Sequence, residues 1–308
     1  MALGVRELLD TRQRFRRTGE DLATGDDIGL FGPASMLWRV NREAVLLAGG
    51  GRALILQVAH PLVAAGVEQH SSYKTDPLGR LYRSLDIPLR IVFGDSAAVA
   101  RASRAFRAVH VRVAGETDES AGRYPAGTAY DSRTDELKMW VHATLTDTAL
   151  VAYQRFVGPL TGSELERYYE ESLVLGDQYR IPRSVQPPSY ADFRAYFDDT
   201  VASDRIALTT TLRELVELLR EPPLPVVGVP LARATGLFTT ASLPPRLREE
   251  LGLSWGRGRE AALAAEAAAI RRLLPLVPRS LRDFPAALGA ERRLRRLASA
   301  SPGVPAAA

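Results

Sequence analysis

Apolar residues recur at three- and four-residue intervals along most of this chain, the spacing that turns one side of an α-helix toward a core. Between Gly32-Pro33 and Gly49-Gly50-Gly51, the residues Met36, Leu37, Val40, Val45 and Leu46 mark one helical face. The next set, Leu54, Ile55, Val58, Leu62 and Val63, contains Pro61, whose missing N–H and bulky ring predict a break or kink just after His60. Residues 73–79 read as a loop, and Pro77 is well placed to open a short helix carrying Arg80, Leu81 and Ser84, limited by Pro88. Asp95 predicts an N-cap for a helix with Val99, Ala102, Phe106, Val109 and Val113 inward, ending near Gly115. His110 lies on that helix beside the apolar stripe, four residues after Phe106.

A loop at 122–132 leads into a long predicted helix from about Asp135 to Phe156, with Trp140 and His142 flanking its buried face. Thr161 with Glu164 forms a capping box for a helix burying Leu165, Tyr168, Tyr169, Leu173 and Gly176. Ser189 caps another that carries Phe193, Phe197, Val201, Ile206, Leu212 and Leu215. Pro222, Pro223, Pro225 and Pro230 punctuate the chain, and helical spacing returns at about 245–251, 260–274 and 287–297. No segment alternates convincingly with period 2, and no internal repeat is present, so the fold class is all-α, a single large helical domain. Its expected parts are an N-terminal helix and linker at 1–27, a helical core at 28–221, a C-terminal helical extension at 222–297 packed on the core, and a flexible tail at 298–308.

Composition narrows the function classes. Of 308 residues, 46% are apolar and 25% charged, as in ordinary globular proteins. The net charge of +4 comes from 40 Lys+Arg scattered among 36 Asp+Glu, which argues against a nucleic-acid partner. With no cysteine, disulfides, thiolate chemistry, iron–sulfur clusters and Cys-type zinc sites are excluded, and any metal must be held by His or carboxylate. The first residues lack the apolar run of a signal peptide, so cytoplasmic residence is expected. No run nears the ~18 apolar residues of a transmembrane span; contact with lipid through an amphipathic surface stays open, without a visible anchor.

The histidines are His60, His70, His110 and His142. None belongs to an H-E-x-x-H zinc motif, there is no G-x-S-x-G nucleophile elbow, and Gly49-Gly50-Gly51 lacks the strand of a Rossmann fingerprint and the Lys-Ser/Thr of a P-loop. The adjacent carboxylates Asp26-Asp27, Glu170-Glu171 and Asp198-Asp199 diverge by about 100° on a helix and share no site. A helical histidine beside an apolar stripe, with an Arg and a hydroxyl residue on another helix, suits haem: imidazole binds iron, apolar side chains grip the porphyrin, and cations meet its propionates. On the residues alone, solvated or hydrogen-bonded structural histidines are the more ordinary reading.

Several separated motifs carry a resemblance. The run Trp38-Arg39-Val40-Asn41-Arg42-Glu43, the stretch Gln57-Val58-Ala59-His60-Pro61 followed by Ala65-Gly66-Val67, Asp76-Pro77 to Ser84, His110-Val111-Arg112-Val113-Ala114-Gly115, and Trp140-Val141-His142-Ala143-Thr144-Leu145 together resemble the MpaB-type and rubber oxygenase (latex-clearing protein) family. The likeness covers roughly residues 28–200, with a weaker echo in Leu243-Pro244-Pro245 and the closing helices. It implies a globin-like helical core, a non-covalent b-type haem (iron protoporphyrin IX), O2 as co-substrate and oxidative cleavage of isoprenoid double bonds. The family's proximal iron ligand falls on His110, and its haem-side Arg and Thr fall on Arg80 and Ser84, with Phe106 in the cofactor-gripping stripe. His142 matches a further family histidine. Where rubber oxygenases carry a Lys able to close the distal iron position, Arg83 stands here, and their distal Glu has no placed equivalent; His60, Glu68 and His70 are the nearest candidates. These departures argue against polymer cleavage. The expected activity is haem-dependent oxygenation of a hydrophobic small molecule near the Pro61 kink, with His60, Arg80 and His142 as catalytic candidates and an electron donor as partner. The alternatives are a haem sensor without turnover, a haem peroxidase, and a haem-free carrier.

Overall fold

The computed structural model describes residues 5–220 and 229–300. In chain order its helices are α1 (Val5–Asp21), α2 (Met36–Asn41), α3 (Gly50–Val58), α4 (Pro61–His70), α5 (Pro77–Phe93), α6 (Ser96–His110), α7 (Asp135–Phe156), α8 (Gly162–Gln178), α9 (Tyr190–Ala202), α10 (Thr210–Arg220), α11 (Val229–Ser242), α12 (Pro245–Glu250), α13 (Arg257–Leu273), α14 (Arg279–Arg282) and α15 (Pro285–Ala300). A 3-10 turn at Ala44–Gly49 precedes α3, and the strands β1 (Ala114–Glu116) and β2 (Ala129–Asp131) form an antiparallel pair. The fold is all-α apart from that ribbon.

The arrangement is organised around α7, which is buried on several sides, from Leu137 and Trp140 to Tyr153 and Phe156. A helix apolar or neutral all round can sit only inside a domain. On one side Ile55, Leu56 and Val58 of α3 meet Met139, Trp140 and Ala143 of α7 in a core completed by α8, α9 and α10. Trp140 Nε1 donates to the carbonyl of Leu56 at 3.0 Å, satisfying the one polar atom of that indole. On another side, Ala152 and Phe156 pack against Phe238 of α11 and Leu263 and Ala267 of α13.

Charges cross this core as well. Asp147 of α7 accepts from Arg52 of α3 at 2.5 Å and from Arg194 of α9. Arg52 also reaches Thr148 Oγ1 at 2.7 Å and the Ser242 carbonyl at 2.8 Å, so one carboxylate ties together α3, α7, α9 and the end of α11.

The two ends of the chain are joined by α15, which lies on α1 and α5. Arg293, wholly buried, donates to the carbonyls of Leu22 and Phe93 at 2.7 and 2.9 Å. At the α1–α15 crossing, Gly289 faces Gly19 so closely that a Cβ on either would overlap backbone atoms of the other helix.

Local structure departs from the helical spacing in definite places. The run 36–49 is not one helix: α2 ends at Asn41, and Glu43 turns aside to bond Arg282 at 2.7 and 2.9 Å before the 3-10 turn. Pro88 does not end α5, because it deletes only its own N–H while Leu89, Ile91, Val92 and Phe93 beyond it are buried, Phe93 edge-on to Trp38. α6 stops at His110, short of Gly115, and β1 pairs with β2 in a ribbon too short to show alternation in sequence. The stretch from Phe193 to Leu215 divides into α9 and α10 around a turn plugged by the buried Ile206. Pro222, Pro223 and Pro225 lie outside the described residues, as do 301–308; Pro230 falls within α11, and α15 continues to Ala300.

Two stability outcomes follow from this packing. Gly289→Ala lowers unfolding free energy by about 1–3 kcal/mol in urea denaturation, whereas Gly236→Ala in α11, where a Cβ meets nothing, leaves it unchanged or slightly raised. Asp147→Asn, which strips the shared counter-ion from two arginines, costs about 3–5 kcal/mol in the same assay.

Candidate functional site

α5 and α6 form an antiparallel hairpin turned at Gly94-Asp95, and Asp95 caps α6 by accepting from Ala98 N at 2.7 Å. Counting away from the turn at roughly 1.5 Å per residue along each helix sets Arg80 level with His110 and Ser84 level with Phe106. Four of the residues singled out from sequence therefore stand at corresponding heights near the open end of this hairpin, Arg80 and Ser84 on one arm and Phe106 and His110 on the other.

His110 is half-buried in the last turn of α6. Its Nδ1 lies 2.8 Å from the Phe106 carbonyl oxygen, and because a carbonyl only accepts, Nδ1 carries the proton. Nε2 is left with its lone pair, and no described residue hydrogen-bonds it. Burial pushes the imidazole pKa down, which keeps the ring neutral, the form that binds metal. The ring lies against Phe106 with centroids 3.9 Å apart, and the end of α6 is pinned where Ser132 Oγ donates to the His110 carbonyl at 2.9 Å. Val109 and Val111 on either side are 57% and 59% exposed, an apolar surface with no protein cover.

On the facing helix, burial and then the neighbouring Arg83 depress the Arg80 pKa. Arg80 Nε donates to Ser71 Oγ at 2.8 Å, and no carboxylate among the described residues neutralises it. Ser84 is exposed, with no hydrogen bond to its hydroxyl, and Pro88 four residues on lacks the N–H that its carbonyl would otherwise receive. Arg83, in contrast, is held by Asp76 at 2.9 Å and Ser72 at 2.6 Å.

Phe106 stacks on Tyr179 at 4.6 Å, and Tyr179 meets His142 edge-on at 5.9 Å, so a line of rings runs from His110 inward to His142. Tyr179, the C-cap residue of α8, lies three residues past Gly176, where the helical stripe of that segment ends, and sequence gave no signal for it. His142 is buried and its Nε2 lies 3.1 Å from the Ser172 carbonyl oxygen, so that nitrogen carries the proton. His60 is not part of this line. It sits at the break between α3 and α4, where the chain bends by 109°. The Ala59 carbonyl freed there accepts from Ala207 N at 2.9 Å. His60 is 1% exposed, its Nε2 is 3.2 Å from the Tyr124 hydroxyl, and its Nδ1 is buried without a partner. Burial pushes the pKa of both His60 and His142 down to about 4.

The sequence profile described as ER-bound oxygenase mpaB/B'/rubber oxygenase, catalytic domain, matches residues 38–272, most of the chain. The protein belongs to this oxygenase family. Comparison with curated proteins and with solved structures returned no match. Membership in an oxygenase family supports oxygenase activity, suggests O2 use and implies a small-molecule substrate, and the matched span contains every candidate from His60 to His142.

The other candidates named from sequence, Glu68 and His70, have partners of their own. Glu68 accepts from Tyr73 at 2.7 Å and Lys74 at 2.6 Å, and Lys74 above all holds its pKa down; His70 is exposed, 3.3 Å from the Ala114 carbonyl oxygen. A surface recess of about 320 Å³ lies elsewhere, between α2 and the start of α8, lined by Arg39, Glu164 and Arg167, and includes none of these residues. Among the described residues no three His, Cys, Asp or Glu side chains converge as metal ligands. A porphyrin iron asks for less, one axial side chain. Among the described residues no single helix is long and apolar enough to cross a membrane.

The depressed histidines link to acid stability with a definite sign. The folded protein binds fewer protons than the unfolded chain between the folded value near 4 and the ordinary 6.5. Stability is therefore complete above pH 6.5 and declines as pH falls toward 4, by up to about 3 kcal/mol for each histidine. His142→Gln, which keeps a donor for the Ser172 carbonyl, flattens this decline in thermal melts taken from pH 7 to 4.

Proposed function

We propose that the protein is a b-type haem oxygenase of apolar small molecules, with iron protoporphyrin IX held on His110 Nε2. The observation that carries the reading is the fixed tautomer of His110: its N–H is committed to the Phe106 carbonyl, its other nitrogen is free, and this is how an axial histidine is oriented and made a better donor. The remaining donors fit the same group. Arg80 is a largely desolvated cation without a counter-ion, suited to a propionate, Ser84 offers an unused hydroxyl, and the exposed faces of Val109 and Val111 beside Phe106 suit the porphyrin edge.

The bound iron would supply O2 activation, with electrons from an outside donor. The chain's own part is positioning and proton control. Arg80, fixed by Ser71, sets a positive charge at the hairpin's open end. His142, with Nε2–H on the Ser172 carbonyl, keeps Nδ1 as an acceptor; His60 keeps one unpaired ring nitrogen at the Pro61 break. Both stay neutral at working pH and could each take or hold a proton at those nitrogens. The partly buried Leu54, Val63 and Val67 beside that break favour an apolar substrate. Arg83, pinned to Asp76 and Ser72 and permanently charged, could not serve as a ligand to that iron.

The absorption spectrum tests the reading. Protein expressed with haem precursor shows a Soret band that His110→Ala abolishes while helical circular dichroism is kept. Arg80→Ala retains the band with haem affinity reduced roughly 10- to 100-fold, the worth of one charged hydrogen bond. A wild type featureless after haem reconstitution would rule the proposal out; haem-dependent turnover with peroxide but not with O2 would make the protein a peroxidase.

A further inference from the structure

The turn that joins α13 to α15 carries a surface that the oxygenase chemistry does not use. Leu273, Leu276 and Leu281 are 57%, 78% and 63% exposed, and Leu276 is the most exposed large apolar side chain among the described residues. An isolated exposed leucine needs no explanation, but three on one short turn make a patch. The turn is stiff. Leu274–Leu276 is a single 3-10 turn, Pro275 and Pro278 fix its φ angles, and α14 follows at once. Its backbone donors are used locally, Val277 N on Leu274 O at 3.1 Å and Leu281 N on Pro278 O at 2.9 Å. Such a turn can enter a less polar medium without stranding those groups.

Both flanks are anchored. Ile270 packs against the α11–α13 core, and beyond the turn Asp283 is buried against Arg42 while Phe284 N donates to the Arg42 carbonyl at 2.7 Å. The leucines are therefore presented outward by a rigid mount rather than left out by fraying.

Charge identifies the partner. From Ala267 to Arg282 the sequence holds Arg271, Arg272, Arg279 and Arg282 and no acidic residue. Arg279 and Arg282 are neutralised by Asp283, Glu291 and Glu43. Arg271 and Arg272, exposed and just before the leucines in the chain, have no acidic partner among the described residues. Exposed apolar side chains on a turn preceded in the chain by two exposed arginines match an anionic lipid interface: the turn would enter the acyl boundary while the guanidinium groups meet headgroup phosphates. A protein partner would call for a groove or flat face rather than a proline-stiffened turn.

We infer that this turn docks the protein peripherally on an anionic membrane surface, with Leu273, Leu276 and Leu281 inserted and Arg271 and Arg272 on the phosphates. The docking does not depend on haem binding and can be read without activity.

Co-sedimentation with vesicles of neutral phosphatidylcholine, or of an equal mixture with phosphatidylglycerol, tests this. The wild type partitions to the anionic vesicles, and L273S/L276S/L281S reduces the partition coefficient at least tenfold with an unchanged melting temperature. R271Q/R272Q lowers it about 30-fold on anionic vesicles, corresponding to ~1 kcal/mol per arginine at the surface, and removes the preference over neutral lipid. Wild-type protein that stays in the supernatant, or variants that pellet as well as it does, would overturn the proposal. So would a dimer in analytical ultracentrifugation that the leucine substitutions dissociate, because the patch would then serve a second copy of the chain.

Discussion

The interior of α7 must hold a negative charge, and much of the molecule is arranged to satisfy it. Asp147 is 2% exposed, and its carboxylate is paired with Arg52 from α3 and Arg194 from α9. Arg52 in turn needs the remaining donors used and bonds Thr148 and the Ser242 carbonyl at the end of α11. Helices distant in sequence are thereby fixed around α7 by directional contacts, where apolar packing alone would leave their rotation loosely specified. Phe197 lies against both guanidinium groups, at 5.9 and 5.1 Å, which joins the charged cluster to the aromatic core.

The same device recurs at the chain ends. Arg293 is buried on α15, and its two terminal nitrogens donate to backbone carbonyls of the α1 loop and the end of α5, groups that would otherwise be stranded. Because α15 packs on α5, the hairpin that carries Arg80 and Ser84 on one arm and Phe106 and His110 on the other has a fixed base. The candidate site is thus placed by structure remote from it: α15 steadies α5, the Asp95 cap fixes the turn into α6, and Ser132 pins the last turn of α6.

Within the site, one hydrogen bond decides the chemistry open to His110. Donation from Nδ1 to the Phe106 carbonyl is available because the histidine stands one turn after that residue, and it leaves Nε2 as the outward donor. A ring of the other tautomer would present an N–H and could bind no metal there. Burial acts in the same direction by keeping His110, His142 and His60 neutral.

Local rules made a good part of this legible in the sequence. Caps at Asp95, Thr161 and Ser189, the break at Pro61 and the apolar faces of α8 and α9 are decided by interactions within a turn or two of chain, so they can be read from spacing, whereas Val109, expected inward on α6, is exposed because the helix ends one residue later. The motifs around His60, Arg80, His110 and His142 were enough to indicate the family. What sequence could not decide were outcomes set by distant partners. Glu43 leaves the helical path because Arg282 lies across from it, and α5 passes through Pro88 because burial of its last turn outweighs one lost hydrogen bond. The three-residue strands form only where their edges meet. Tyr179, joining Phe106 to His142, belongs to no local pattern, since α8 brings it there only after packing on α7. Sequence determined the helices and their chemistry-bearing residues; tertiary packing alone decided which of those residues face one another, because burial and charge pairing act through space rather than along the chain.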